Sequence, residues 1–156
     1  MRTILVSAIV SLCFTSSAGA QGLGLGWENG ISIRGMAGSS VIQGVLGFST
    51  TSFEDDSDNE TSMDLSGYVA FPVRTIGESK MSAFGGLGIS TFTGWDTDIT
   101  LRGGLEHNVM VTDRIGVNGK LGLEFLMVGG RENVDDSGWN TFGTFGVIGV
   151  HWYFGE

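Results

Sequence analysis

His107 and His151 are the only imidazoles this chain offers for general acid–base work. A general base needs a nucleophile within hydrogen-bond reach and a third group to orient it. Ser82 or Ser90 could supply a hydroxyl to His151, yet no spacing in the sequence brings either beside it. Neither His has a Ser and an acid at a recognisable interval, so a His hydrogen-bonded within a strand is the plainer reading and no catalytic residue is assigned. Metal chemistry has one weak candidate, the alternating carboxylates Asp56, Asp58 and Glu60 in DDSDNE. Calcium wants six or more oxygens, and the Gly and distal Glu of an EF-hand loop are missing, so a solvated acidic loop is expected, with no metal and no cofactor.

The remaining charges follow a different pattern. Arg34, Asp64, Arg102, Glu106, Lys120 and Glu124 all sit at the polar parity of period-two runs. In 99–108, Ile99, Leu101 and Leu105 oppose Thr100, Arg102, Glu106 and Asn108. In 115–128, Ile115, Val117, Leu121, Leu123, Phe125 and Met127 oppose Asn118, Lys120 and Glu124. With Glu28, the charges of this face nearly balance. Arg102, Glu106, Lys120 and Glu124 fall on successive strands and could pair across them, as enclosed charges must. A satisfied internal network is the main reading; a gated ion path through it is the alternative.

Strands must position these groups. The chain holds 27 Gly and 1 Pro, with Gly interleaved among Val, Ile, Leu and Phe at period two. That pattern marks strands whose backbones or rings approach closely. About eight runs qualify: 22–28, 31–37, 41–50, 61–72, 81–93, 99–108, 115–128 (the longest) and 141–154. Asn29-Gly30 joins the first two as a hairpin turn. Polar loops at 51–60, 94–98 and 129–140 gather at one end, and compact links at 38–40, 73–80 and 109–114 at the other. This alternation is that of an antiparallel up-and-down meander.

Residues 1–20 lie outside this scheme. Arg2, the short apolar run Ile4 to Phe14 and Ala18-Gly19-Ala20 predict an export signal cleaved after Ala20, leaving one domain over 21–156. Cleavage removes Arg2 and the only cysteine, Cys13, so the net charge moves from −9 to −10 and no disulfide is expected. An acidic exported chain argues against nucleic acid, whose phosphates need basic partners. Beyond residue 20 no apolar run is long enough for a transmembrane helix.

Parity leaves two orientations. A soluble barrel, lipocalin-like, would bury the apolar face; a membrane barrel would turn it to lipid and enclose the charges. Gly on the polar face suits a narrow interior, and aromatics gather near strand ends: Trp27, Trp95 and Trp139 toward the loops, Phe71, Trp152 and Phe154 toward the links. Two such girdles suit the two interfaces of a bilayer.

The chain's ending, GVHWYF, resembles the C-terminal assembly signal of bacterial outer-membrane proteins, with Gly149, Trp152 and Phe154 in its places. Val147 stands where that signal usually has a polar residue, and Gly155-Glu156 follow the final aromatic. Over 22–154 the chain resembles the small outer-membrane β-barrel-domain proteins of the OmpA/OmpX type. The resemblance implies an all-β, eight-stranded antiparallel transmembrane barrel in the outer membrane of a Gram-negative envelope, inserted by the barrel-assembly machinery. Its interior at eight strands is filled by side chains. The expected role is structural or one of surface interaction, with outer-membrane lipid around it and a partner met through loops 51–60 and 129–140. A lipid-modifying enzyme or narrow, porin-like conduit is the alternative. The first hairpin fits least well: seven residues rise only about 18 Å when tilted, against an apolar band of about 25 Å. It is therefore expected to be longer than 22–28 and 31–37, or absent.

Overall fold

A computed structural model of the chain describes residues 23–51, 60–77, 79–92, 97–129 and 140–154. The period-two runs form eight strands: β1 (Leu23–Trp27), β2 (Ile31–Ala37), β3 (Ser40–Thr51), β4 (Glu60–Ile76), β5 (Ser79–Phe92), β6 (Asp98–Met110), β7 (Ile115–Met127) and β8 (Asn140–Phe154). Each pairs antiparallel with the next in sequence, and β1 pairs with β8, closing the sheet into a ring. No described residue is helical.

The turns carry the backbone chemistry that hairpins need. Asn29 and Gly30 have φ of 52° and 150°, the positive values that Asn-Gly tolerates, and Gly38 and Gly77 turn β2–β3 and β4–β5 at 64° and 60°. Two expected links are shorter than the sequence reading had them. β4 runs on to Ile76 and β5 begins at Ser79, so 73–80 is mostly strand and β4, with 17 residues, is the longest. Pro72 does not stop the strand. Instead the register steps from Pro72–Ser82 to Arg74–Met81, so Val73 bulges where the proline cannot donate. Val109 and Met110 likewise belong to β6, leaving 111–114 as the link.

Closure is staggered. A walk across hydrogen-bonded neighbours from Leu25 passes Ile33, Gly44, Gly67, Leu87, Leu101 and Phe125 and reaches β8 at Phe142. Leu25 itself pairs with Trp152, ten residues along. Such a shear over eight strands tilts them by about 40° and leaves an interior just wide enough for side chains.

The first hairpin exists and is short. Its ladder with β8 ends at Trp27–Val150 and its ladder with β3 at Ile31–Leu46. β8 continues above it to Asn140, and β3 to Thr51. The ring is therefore level at the rim holding Leu23, Phe154 and the short links, and notched at the other, here called the loop rim.

Side-chain parity sets the two faces. Among the described residues 22 large apolar side chains are exposed, including Leu121 at 70% and Ile148 at 74%, whereas 12 polar or charged ones are buried. Only Val45, Tyr68, Ala70 and Phe84 form a buried apolar cluster, with Val41 and Phe145 against it.

Candidate functional site

Midway down the lumen, four charges from four segments meet. Arg34 on β2 reaches across to Glu106 on β6 through both guanidinium nitrogens, Nη1 lying 2.9 Å from Oε2. Lys120 on β7 pairs with Glu28, just past β1, and stands 3.6 Å from Glu106. All four are at most 2% exposed. Two cations and two carboxylates cancel, which is what makes their burial tolerable. Gln43 on β3 ties the pairs together. Its Nε2 donates to Glu28 at 2.9 Å, and its Oε1 accepts from Lys120 at 2.7 Å and Arg34 at 3.3 Å. Asn118 also donates to Glu28, at 2.7 Å. The cluster has room because β8 carries Gly149 there: a Cβ at that position would lie 2.7 Å from Asn118 Oδ1 and 2.9 Å from Glu28 Oε2.

Above this plug, toward the loop rim, a cavity of about 240 Å³ opens. Arg102 and Glu124, direct register partners on β6 and β7, form a further ion pair there at 3.0 Å. Arg102 also donates to Tyr68 Oη at 2.9 Å and lies 5.4 Å from the Phe145 ring centre. Tyr68, Phe84 and Phe145 meet edge to face, with centroids 6.0 and 5.7 Å apart. The Tyr68 ring rests on Gly86, where a Cβ would collide with it. Lys120 Nζ approaches the same ring to 4.7 Å from below. Asp64 also lines this space. The vestibule thus sets two aromatic rings, Tyr68 and Phe145, in a mostly polar lining.

The two histidines find serines, though not the expected ones. His151 Nε2 contacts Ser32 Oγ, with Gln43 Nε2 3.3 Å away; Ser82 and Ser90 are not its partners. Its Nδ1 has no partner among the described residues, so no acid orients the ring there. Ser32 is fully buried beside Arg34's strand neighbours, which leaves no room for a substrate at its hydroxyl. His107 contacts Ser79 at the exposed level rim. Among the described residues no group of three or more His, Cys, Asp or Glu is arranged to hold a metal ion.

Of the charges singled out in the sequence, Arg34, Glu106 and Lys120 meet in the plug, Arg102 and Glu124 pair in the vestibule, and Asp64 stands apart on its wall. Glu106 and Lys120 are register partners as the successive-strand reading required, but their shortest bonds run across the lumen to Arg34 and Glu28. Gln43 was missed. A turn at Gly38-Ser39 places it opposite Arg34, so the signal was there in the hairpin register. Trp27, Phe71, Trp152 and Phe154 are all exposed on the outer face. Because the first hairpin is short, Trp27 lies well below the loop rim, not at it. Gly149, Trp152 and Phe154 lie on β8, the last two facing outward near the seam with β1. Trp95, Trp139, Asp56, Asp58 and the export segment 1–20 lie outside the described residues, as do most of loops 51–60 and 129–140; Glu60 opens β4 without a described side chain. No family model, curated protein or solved structure matches the chain.

Proposed function

We propose that the chain is an integral outer-membrane β-barrel with a structural or surface-interaction role, its lumen closed by paired charges. One observation carries this reading: the outer wall is greasy all round while Glu28, Arg34, Glu106 and Lys120 are enclosed. Soluble monomers rarely expose contiguous apolar patches beyond a few hundred Å². Lipid as the outer solvent removes that penalty, and a closed ring leaves no backbone edge where its strands are paired. The exposed set spans the seam as well, through Leu25, Val150, Trp152 and Phe154.

On this reading the partners are membrane lipid, the barrel-assembly machinery acting on the β8 motif, and an extracellular partner met through loops 51–60 and 129–140. The acidic balance disfavours nucleic acid. The plug makes the lumen a poor conduit, so no steady conductance is expected, and no enzymatic activity is proposed. Membrane fractionation with boiled and unboiled gels tests the reading. The folded barrel should stay with the detergent-extracted membrane fraction and change mobility on heating; a monomer that remains in plain buffer overturns it. Deleting 129–140 should abolish partner capture and leave the heat shift unchanged.

A further inference from the structure

The notch over the first hairpin is deep. Neither β1 nor β2 rises past the 27–31 turn, while β3 and β8 stand above it on either side with outward-facing Phe48 and Phe142. The gap is two strands wide, about 14 Å between its jambs, and about 15 Å tall once the tilt is allowed for. Because Phe48 and Phe142 belong to the same exposed apolar wall, the opening falls within the height of that wall. The facing edges, Gly47–Thr51 and Asn140–Gly149, have no ladder partner on the notch side among the described residues. Open strand edges do not face hydrocarbon; at membrane depth they are found lining a wet or filled cavity.

Such a cavity is present. The vestibule and a shallow outer groove of about 670 Å³ share Asn29, Gly146 and Val147 as lining, so both spaces border the notch, one on each side of the wall. We propose that the notch is a lateral portal through which a neutral apolar solute of one or two rings passes between the vestibule and the surrounding hydrocarbon. This rests on the membrane reading above.

Size, lining and charge select that solute. A cavity of roughly 150 Å³ lined by apolar groups accommodates benzene, so 240 Å³ suits one or two rings. Val45, Phe145 and Val147 supply the apolar part of the lining, and Glu28, Asp64, Ser66, Arg102 and the Tyr68 hydroxyl the larger polar part, so a ring bearing one hydroxyl suits it better than a bare hydrocarbon. Anions are disfavoured: Asp64 faces the same space, and Arg102 is already engaged by Glu124 and Tyr68. The plug blocks the way down, and the notch is the opening of the vestibule that lies at the depth of the apolar wall.

The test uses the folded protein in phosphatidylcholine nanodiscs and the neutral probe 2-naphthol at pH 7, followed by equilibrium dialysis against empty nanodiscs. The wild type should add one saturable site to the linear partition background. Val147→Trp, which fills the vestibule, and a hairpin lengthened by six residues between Asn29 and Gly30, which raises the wall, should each weaken that site at least tenfold. The anion 2-naphthalenesulfonate should bind at least tenfold more weakly than the probe. Each preparation is also run boiled and unboiled. A heat-shifting wild type without a saturable site overturns the portal alone, as does equal binding by Val147→Trp; a second copy crosslinked over the notch overturns it too. Loss of the heat shift in the wild type instead sinks the membrane reading.

Discussion

At Gly149 the lumen shows how little slack it has. A single added methyl would press on Asn118 and Glu28 together. Gly149→Ala should therefore destabilise the fold by about 1–3 kcal/mol, read as a lower midpoint of the heat-induced gel shift. The Lys120–Glu28 pair responds more strongly. Lys120→Met leaves Glu28 buried beside only Gln43 and Asn118 and should cost about 3–5 kcal/mol. Adding Glu28→Gln removes the stranded charge and should restore most of that loss. A double-mutant cycle on the same midpoint measures the coupling, and additivity of the two changes would contradict the pairing. These residues could be assigned to one face from the sequence because β side chains alternate. Which of them touch could not, because the contacts run across the ring, and only register and shear say which residues share a level. Gln43, a lone amide in VIQGVLG, looked incidental for that reason.

Among the elements, β8 bears the most. It closes the ring against β1 and extends the notch jamb above it. Its seam residues Trp152 and Phe154 face outward opposite Leu25 and Leu23, so their apolar area is presented to whatever surrounds the barrel. Replacing both by Ala should lower the fraction folded into lipid vesicles at least several-fold, while Thr141→Ala at the other end of β8 should not. Strand identity was legible from period two alone, and Asn29-Gly30 announced its turn. The end of β4 was not legible: the polar VRTIGESK resembled a link, but β5 folds back along it and gives even a poor strand sequence a ladder to join, and the bulge at Val73 absorbs the proline. The short first hairpin looked like a flaw in the barrel reading. It is instead a local property of the wall, compatible with closure because all of β1 pairs with β8, all of β2 pairs with β3, and the two join each other over four residue pairs.

For the whole molecule, the deciding quantity is which solvent the outer wall meets. Leu121 pairs with Gly146 across the β7–β8 ladder and is well exposed on the outer face. In a bilayer, Leu121→Arg near mid-depth should cost about 2–4 kcal/mol of folding stability; in water the same change on an exposed strand position should be close to neutral. Folding the variant into vesicles and unfolding it with denaturant distinguishes the two. The lumen side was the harder half to foresee: Val45, Phe84 and Phe145 line it beside the charges, a mixture that a strict polar-in rule does not anticipate.

An even strand count returns the polypeptide to the rim where it began, so Leu23 and Phe154 emerge side by side. Epitopes fused before the first and after the last strand would then report one compartment, and an epitope placed in the 29–30 turn would report the opposite one. If the ring spans the outer membrane as proposed, protease added to intact cells should trim only what the odd-to-even connections display, leaving each fragment tethered by its neighbours until heat lets them part.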